Sequence, residues 1–253
     1  MRARAGAVME ALGEHPGPIG IGSANGFEEV VQRSPNRFDV PLDEGLLAPI
    51  WGPAGSTATA VPWMGLVTAA LGHAPAPVPS FCGVVFSRPG SPAQQWHIDS
   101  PHESRSTQCQ AHAVNVLVAL ADIPLAAGPT EVAPGTHLLT NHLREPSLDY
   151  DDLLYQTARE ITPDQLHRVA RLAATTTAAS GGDLSSLGSA ATTMLAPMEA
   201  GDCLVFDDRV LHRGGANVSD TVRWVAYFSY ARPRAGMDDA ADTHFEATRS
   251  LFR

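Results

Sequence analysis

The sequence predicts a mainly β, barrel- or sandwich-like single domain spanning residues 1–253, flanked by helices and broken by one long insertion. Three observations carry this. The chain has 22 Gly and 20 Pro among 253 residues, which favours many short elements and turns over long helices. From Phe81 onward, short apolar runs rich in Val, Leu and Phe alternate with Pro, Gly and Ser, the texture of strands and turns. A hydrophobic fraction of 44% is enough to bury a core, and 253 residues is an ordinary length for one all-β domain.

Residues 1–79 read as N-terminal support. Residues 1–62 are expected to be irregular, with a short helical stretch around Gly26–Gln32. Pro62–Leu71 sets Met64, Val67 and Leu71 at helical spacing, which predicts a docking helix. Residues 80–137 open the β core with FCGVVF, QQWHID and AVNVLVALAD. Val114–Leu120 is apolar on both faces, so that strand is expected to be covered from both sides. After Gly128-Pro129-Thr130 come a short strand, Glu131–Ala133, and a turn in which His137 is expected to fix the loop by hydrogen bonding.

Residues 138–191 interrupt this rhythm. They hold an acidic polar stretch, a predicted helix from Pro163 to Ala174 with Thr162 as its N-cap, and a run of Thr, Ala, Ser and Gly. The reading is a helical and low-complexity insertion that covers the active site. Residues 192–233 return to strands: TTMLAPM, DCLVFD, RVLH and TVRWVAYFSYA.

Composition excludes several chemistries. All 17 basic residues are arginine, so lysine Schiff bases, lysine general bases and Walker-type phosphate loops are absent. A net charge of −10 without a basic run argues against a nucleic-acid or anionic-membrane partner. Cys82, Cys109 and Cys203 form no CxxC pair and are odd in number, which disfavours a disulfide scaffold or a thiolate zinc site. Glu10 and Glu14 follow Arg2 and Arg4 before any signal-like apolar stretch, and no run reaches the ~18–20 apolar residues of a membrane span. The expectation is a cytoplasmic protein that acts on a small molecule.

One triplet points to a metal. His97-Ile98-Asp99 places an imidazole and a carboxylate two residues apart, on the same face of a strand. Roughly 0.6 such triplets are expected by chance in a chain of this composition, so its weight comes from context. His212 closes a predicted strand and is followed by Gly214-Gly215, which lets the chain turn sharply beside a site. Two histidines and one carboxylate on one side of a cation make the facial triad of non-haem iron(II) oxygenases. Arg223 sits early in the last strong strand, an expensive place for an unpaired guanidinium. Its planar fork suits a carboxylate; a structural ion pair with Asp207, Asp208 or Asp220 is the competing role.

Taken in order, QxxHxD at Gln94–Asp99, VNVLVALADIP, GPTEVAPGTH and GDCLVFDDRVLHRGGANVSDTVRW resemble the phytanoyl-CoA dioxygenase family. The resemblance covers about residues 80–137 and 195–233. It implies a double-stranded β-helix, a jelly-roll of the cupin kind, that uses Fe(II) with 2-oxoglutarate and O2 as co-substrates. Residue by residue, it implies iron on His97, Asp99 and His212, and Arg223 on the distal carboxylate of 2-oxoglutarate. Gln94 and Thr130 match positions that contact the co-substrate, and Asn115 matches an inward strand position able to line the same pocket. The implied reaction oxidises, most simply hydroxylates, an unactivated C–H bond of a small metabolite, with release of succinate and CO2. A non-catalytic cupin-type binding protein and a dioxygenase acting on a protein side chain are the alternatives. Arg223 together with Gln94 separates the first of these, because a plain metal-binding barrel needs no buried carboxylate clamp.

Overall fold

Antiparallel pairing builds the whole sheet framework of the computed structural model, which describes residues 1–14, 27–42, 61–72, 79–100, 109–138 and 193–232. The strands are β1 (Val31–Ser34), β2 (Arg37–Pro41), β3 (Phe81–Ser87), β4 (Ala113–Ala119), β5 (Thr130–Val132), β6 (Met194–Ala196), β7 (Cys203–Asp207), β8 (His212–Gly214) and β9 (Arg223–Ala231). They form a six-stranded sheet in the order β1-β2-β3-β9-β4-β7 and a three-stranded sheet in the order β6-β5-β8. Two facing antiparallel sheets of this kind make a jelly roll, as the sequence predicts.

The alternation of side chains along the large sheet decides where core and site lie. Phe38, Val40, Val84, Phe86, Val114, Val116, Trp224, Ala226, Phe228 and Tyr230 share one apolar cluster with two helices. Helix α1 (Arg2–Glu14) contributes Ala5, Val8 and Leu12, and helix α2 (Met64–Leu71) contributes Met64, Val67 and Leu71. Trp63 stacks on Phe228 with ring centroids 5.5 Å apart, and its indole N–H donates to the Tyr230 hydroxyl at 2.9 Å. Burying such side chains is worth about 1.5–3 kcal/mol each, so this face holds the fold together. The opposite face, which carries Arg37, Asp39, Ser87, Asn115, Arg223 and Tyr227, looks into the roll. Ala119, Ile123, Ala127, Met198 and Val225 form a smaller apolar cluster apart from that core.

Several expectations need correction. Residues 1–62 are not irregular throughout: they hold α1 and the β1–β2 hairpin. Gly26–Gln32 is not helical where described, because Phe27–Val30 closes a tight turn that leads straight into β1. Pro35-Asn36 makes the hairpin turn, with Asn36 at φ 60, a left-handed conformation that asparagine tolerates. QQWHID forms a single bridge, His97 to His212, and not a full strand. His212 opens β8 instead of closing a strand. In the turn after β5, Thr136 fixes the loop: its hydroxyl donates to Ala133 O at 2.6 Å and accepts from Leu211 N at 2.9 Å. His137 Nδ1 has no partner among the described residues. The 163–174 helix and the 138–191 cover fall outside the described residues, apart from Leu138. Among the described residues no helix is long and apolar enough to cross a membrane.

Candidate metal and co-substrate site

Local pairing brings the predicted ligands together. His97 N donates to His212 O at 3.1 Å, and His212 N donates back to His97 O at 3.0 Å, so one antiparallel bridge sets both imidazoles side by side. Ligand atoms of His97, Asp99 and His212 lie within 4.8 Å of one another. His97 Nδ1 lies 2.8 Å from Gln95 O, and His212 Nδ1 lies 3.0 Å from Val210 O. A carbonyl can only accept, so both Nδ1 atoms carry the hydrogen and both Nε2 lone pairs face the site. Asp99 meets them, with Oδ1 3.7 Å from His97 Nε2 and Oδ2 3.4 Å from His212 Nε2. This donor set, two imidazole nitrogens and one carboxylate on one side, fits iron(II) and leaves the opposite side open.

Asp99 is itself held. Asn115 Nδ2 donates to Asp99 Oδ2 at 2.5 Å, and Asp99 N donates to Asp208 O at 2.9 Å. The next residue, Ser100, donates to Asp208 Oδ2 and sits 2.6 Å from His112 Nε2. Burial pushes the Asp208 carboxyl well above the usual range. The Phe206 ring flanks His212 at 4.8 Å. Asn115 thus orients the Asp99 carboxylate, and we expect Asn115→Ala to weaken Fe(II) binding by about 10–100-fold, read by anaerobic titration.

Burial, and then the neighbouring His212, push the His97 imidazole down to about 4 from its ordinary 6.5. It therefore stays neutral and able to bind metal at physiological pH. The same shift has a stability consequence. Between pH 6.5 and 4 the unfolded chain takes up a proton at His97 that the folded chain refuses, so stability falls as pH falls through that window. The thermal midpoint of metal-free protein should drop across it, with a shallower slope in His97→Gln.

Beside the triad lies a cationic pocket that the sequence showed only in half. Arg223 is 4% exposed and Arg37 fully buried. Both donate to Ser87 Oγ, Arg223 through Nη2 at 3.0 Å and Arg37 through Nε at 3.1 Å. Arg37 Nη2 also donates to Pro92 O at 3.0 Å and Gly215 O at 2.9 Å. Arg37 Nη1 and Arg223 Nε have no partner, and neither guanidinium meets a carboxylate among the described residues. The competing ion-pair role for Arg223 receives no support: Asp207 pairs with Arg209 at 2.6 Å, and Asp208 bonds to Ser100. Burial, with Arg37 adding repulsion, pushes Arg223 down to about 9; burial alone pushes Arg37 down to about 10. Two buried like charges without a counter-ion are costly unless an anion enters between them. A carboxylate fits.

Gln94 and Gly214 complete the pocket. Gln94 N donates to Gly214 O at 2.9 Å, and Gly214 N donates to Gln94 Oε1 at 2.9 Å, which leaves the Gln94 amide NH2 to other partners. A Cβ at position 214 would meet Gln94 Oε1 at 2.6 Å and Arg223 Nη2 at 3.0 Å. Only glycine lets these groups converge two residues past His212. Thr130 is buried opposite Gly214 in the small sheet, and its hydroxyl makes no hydrogen bond among the described residues. Arg37 is the candidate site residue that the sequence did not reveal; its alternation with Phe38 and Val40 was the available signal. His102 and Arg105, weighed as substrate contacts, lie outside the described residues.

A His-x-Asp…His set inside an antiparallel jelly roll is the ligand arrangement of mononuclear non-haem iron oxygenases. The model of the phytanoyl-CoA dioxygenase (PhyH) family matches residues 7–225, and the chain belongs to that family. It is an oxidoreductase of the iron- and 2-oxoglutarate-dependent type. Solved structures agree in fold. EvdMO1 superposes with a TM-score of 0.51 at 19% identity, over 92% of this chain and 44% of its own length. AviO1 from Streptomyces viridochromogenes Tue57 gives 0.50 at 17% identity, over 93% of this chain and 84% of its own. The non-heme alpha ketoglutarate dependent carbocyclase SnoK from nogalamycin biosynthesis gives 0.50 at 18% identity, over 91% of this chain and 74% of its own. The chain thus spans less than half the length of EvdMO1. Comparison with curated proteins gives no match.

Proposed function

We propose that this chain oxidises an unactivated C–H bond of a small metabolite by hydroxylation, consuming 2-oxoglutarate and O2 and releasing succinate and CO2. The observation that carries it is the juxtaposition of the His97–Asp99–His212 triad with two buried guanidiniums that meet no carboxylate among the described residues. His97 and His212 present Nε2 to the iron, and Asp99, oriented by Asn115, supplies the third ligand. Arg223 and Arg37 grip the distal carboxylate of 2-oxoglutarate, while Gln94 and Thr130 line its path. When bound, iron supplies the O2-activating chemistry, with 2-oxoglutarate as the source of two electrons. The protein fixes the geometry and selects the carbon. A role in secondary metabolism accords with the fold shared with SnoK, whose reaction belongs to nogalamycin biosynthesis.

The test begins with anaerobic loading of Fe(II) and 2-oxoglutarate, followed by a metabolite library under O2. Succinate release that depends on one library member, with an oxygen atom gained by that compound, is expected. Asp99 occupies the carboxylate position, so added chloride should leave the product free of chlorine. A chlorinated product, or full turnover after chelation with no iron returned, would overturn the assignment.

A further inference from the structure

The back of the small sheet carries a side-chain strap that neither the triad nor the 2-oxoglutarate pocket uses. Arg213 stands in β8 between the ligand His212 and Gly214, and alternation turns its side chain to the face away from the metal site. There its guanidinium lies over the Trp96 ring, 4.7 Å from the ring centroid. Trp96 immediately precedes the ligand His97. Arg213 also donates from Nε to Glu131 Oε2 at 2.8 Å, and its Nη2 lies 2.7 Å from the same oxygen. Glu131 is the β5 partner of Arg213 in the strand register. Its other oxygen, Oε1, accepts from the Thr193 hydroxyl at 2.6 Å, just before β6. The contacts Trp96–Arg213–Glu131–Thr193 thus cross the sheet from the 94–99 segment through β8 and β5 to the start of β6, directly behind the two imidazoles.

The backbone at this place leaves slack for a strap to take up. A regular antiparallel pair advances residue for residue. Here the bonds that join the 94–99 segment to its neighbour run from Gln94 to Gly214, between His97 and His212, and from Asp99 to Asp208. Successive bonds advance three and then two residues along one side, against two and then four along the other. Such pairing sets the register of His97 loosely. A slip of one residue would turn its imidazole to the wrong face and bring Trp96 or Ile98 round in its place. The Trp96–Arg213 contact forms in the register that puts both imidazoles on the inner face, and a slip breaks it. The Arg213 and Glu131 side chains are 33% and 15% exposed, so solvent screens their pair and its worth to the whole fold is small. Its leverage is local.

We propose that Arg213 is a positioning residue for the metal centre: by clamping Trp96 to Glu131 it holds His97 in register with His212 and so sets the affinity and geometry of the iron site. This rests on the oxygenase reading above. Arg213 faces away from the metal and acts through the segment that carries His97. A planar guanidinium suits the task, because its face stacks on the indole while its edge bonds the carboxylate. A lysine in its place would keep the charge and lose the fork.

The test compares full-length wild type and variants by three measurements: anaerobic Fe(II) titration, the visible spectrum of the Co(II)-substituted protein, which reports ligand geometry, and the thermal midpoint of the metal-free protein. Arg213→Ala and Trp96→Ala should each weaken Fe(II) binding by about 2–30-fold, the range of a cation–π contact, and alter the Co(II) spectrum. The metal-free midpoint should fall by only a few degrees. Trp96→Phe, which keeps a ring face, and Arg213→Lys should each recover part of the affinity. The double variant Arg213→Ala/Trp96→Ala should lose less than the product of the single losses, because both changes remove one shared contact. Wild-type iron affinity and Co(II) spectrum in both alanine variants, whatever their midpoints, would make the strap merely structural and overturn the proposal. Single losses that multiply in the double variant would overturn it too. A wild type that binds neither cation would overturn this proposal and the oxygenase reading together.

Discussion

Arg223→Ala should raise the 2-oxoglutarate concentration needed for half-maximal turnover by about two to four orders of magnitude. Removing one partner of a buried charge pair costs about 3–5 kcal/mol, which sets that scale. Arg223→Lys should recover only part, because an ammonium cannot replace the fork that reaches both Ser87 and the ligand. Arg37→Ala should give a loss of the same kind, since Arg37 shares Ser87 Oγ with Arg223 and its Nη1 has no hydrogen-bond partner among the described residues. The double variant should lose less than the product of the single losses, because each guanidinium now repels the other and removal of one relieves its neighbour. Initial rates over a 2-oxoglutarate series give all four constants. Unchanged dependence in both single variants would assign the two arginines to structure.

His97→Ala and His212→Ala should each abolish turnover. Two remaining ligands hold Fe(II) neither as tightly nor in the open-sided arrangement that the reaction needs. The structure adds a distinction between them. His212 sits in β8 with its ring between His97 and Phe206, at centroid distances of 4.3 and 4.8 Å, so its loss opens a gap inside the roll. His97 is bound to the fold by one bridge outside any named strand, so its loss should cost less stability. Iron affinity by anaerobic titration and thermal midpoints of the metal-free variants separate the two effects. A histidine variant with wild-type turnover would remove that residue from the ligand set.

The β core and the triad were legible in the sequence because both rest on short-range pattern. Residues 81–86, 113–119 and 223–231 alternate or run apolar at strand length, and each became a strand. His97 and Asp99 needed only their spacing. The β1–β2 hairpin was missed for a physical reason. In Arg37-Phe38-Asp39-Val40 the polar residues alternate with apolar ones as strand residues do, but the polar face points into the roll and the apolar face against the helices. A reader who assigns charge to solvent inverts that strand. Arg37 and Asp39 were lost with it, and with them the second guanidinium of the pocket. Asn115 was legible as an inward position, but its bond to Asp99 depends on how β4 faces the 94–99 segment, which no local pattern records.

The paired backbone hydrogen bonds between His97 and His212 bear on the history of the molecule as well as on its chemistry. That rung, with Gln94 to Gly214 and Asp99 to Asp208 on either side, joins segments far apart in sequence, so the two imidazoles meet only in the folded chain. An unfolded chain offers the cation no such juxtaposition. A cation that binds only the folded state stabilises it by mass action, and its departure loosens the rung it spans. A metal held by His97, Asp99 and His212 would therefore also clasp the fold. Protein stripped of iron should then unfold at a lower temperature than the iron-loaded protein, as well as losing activity.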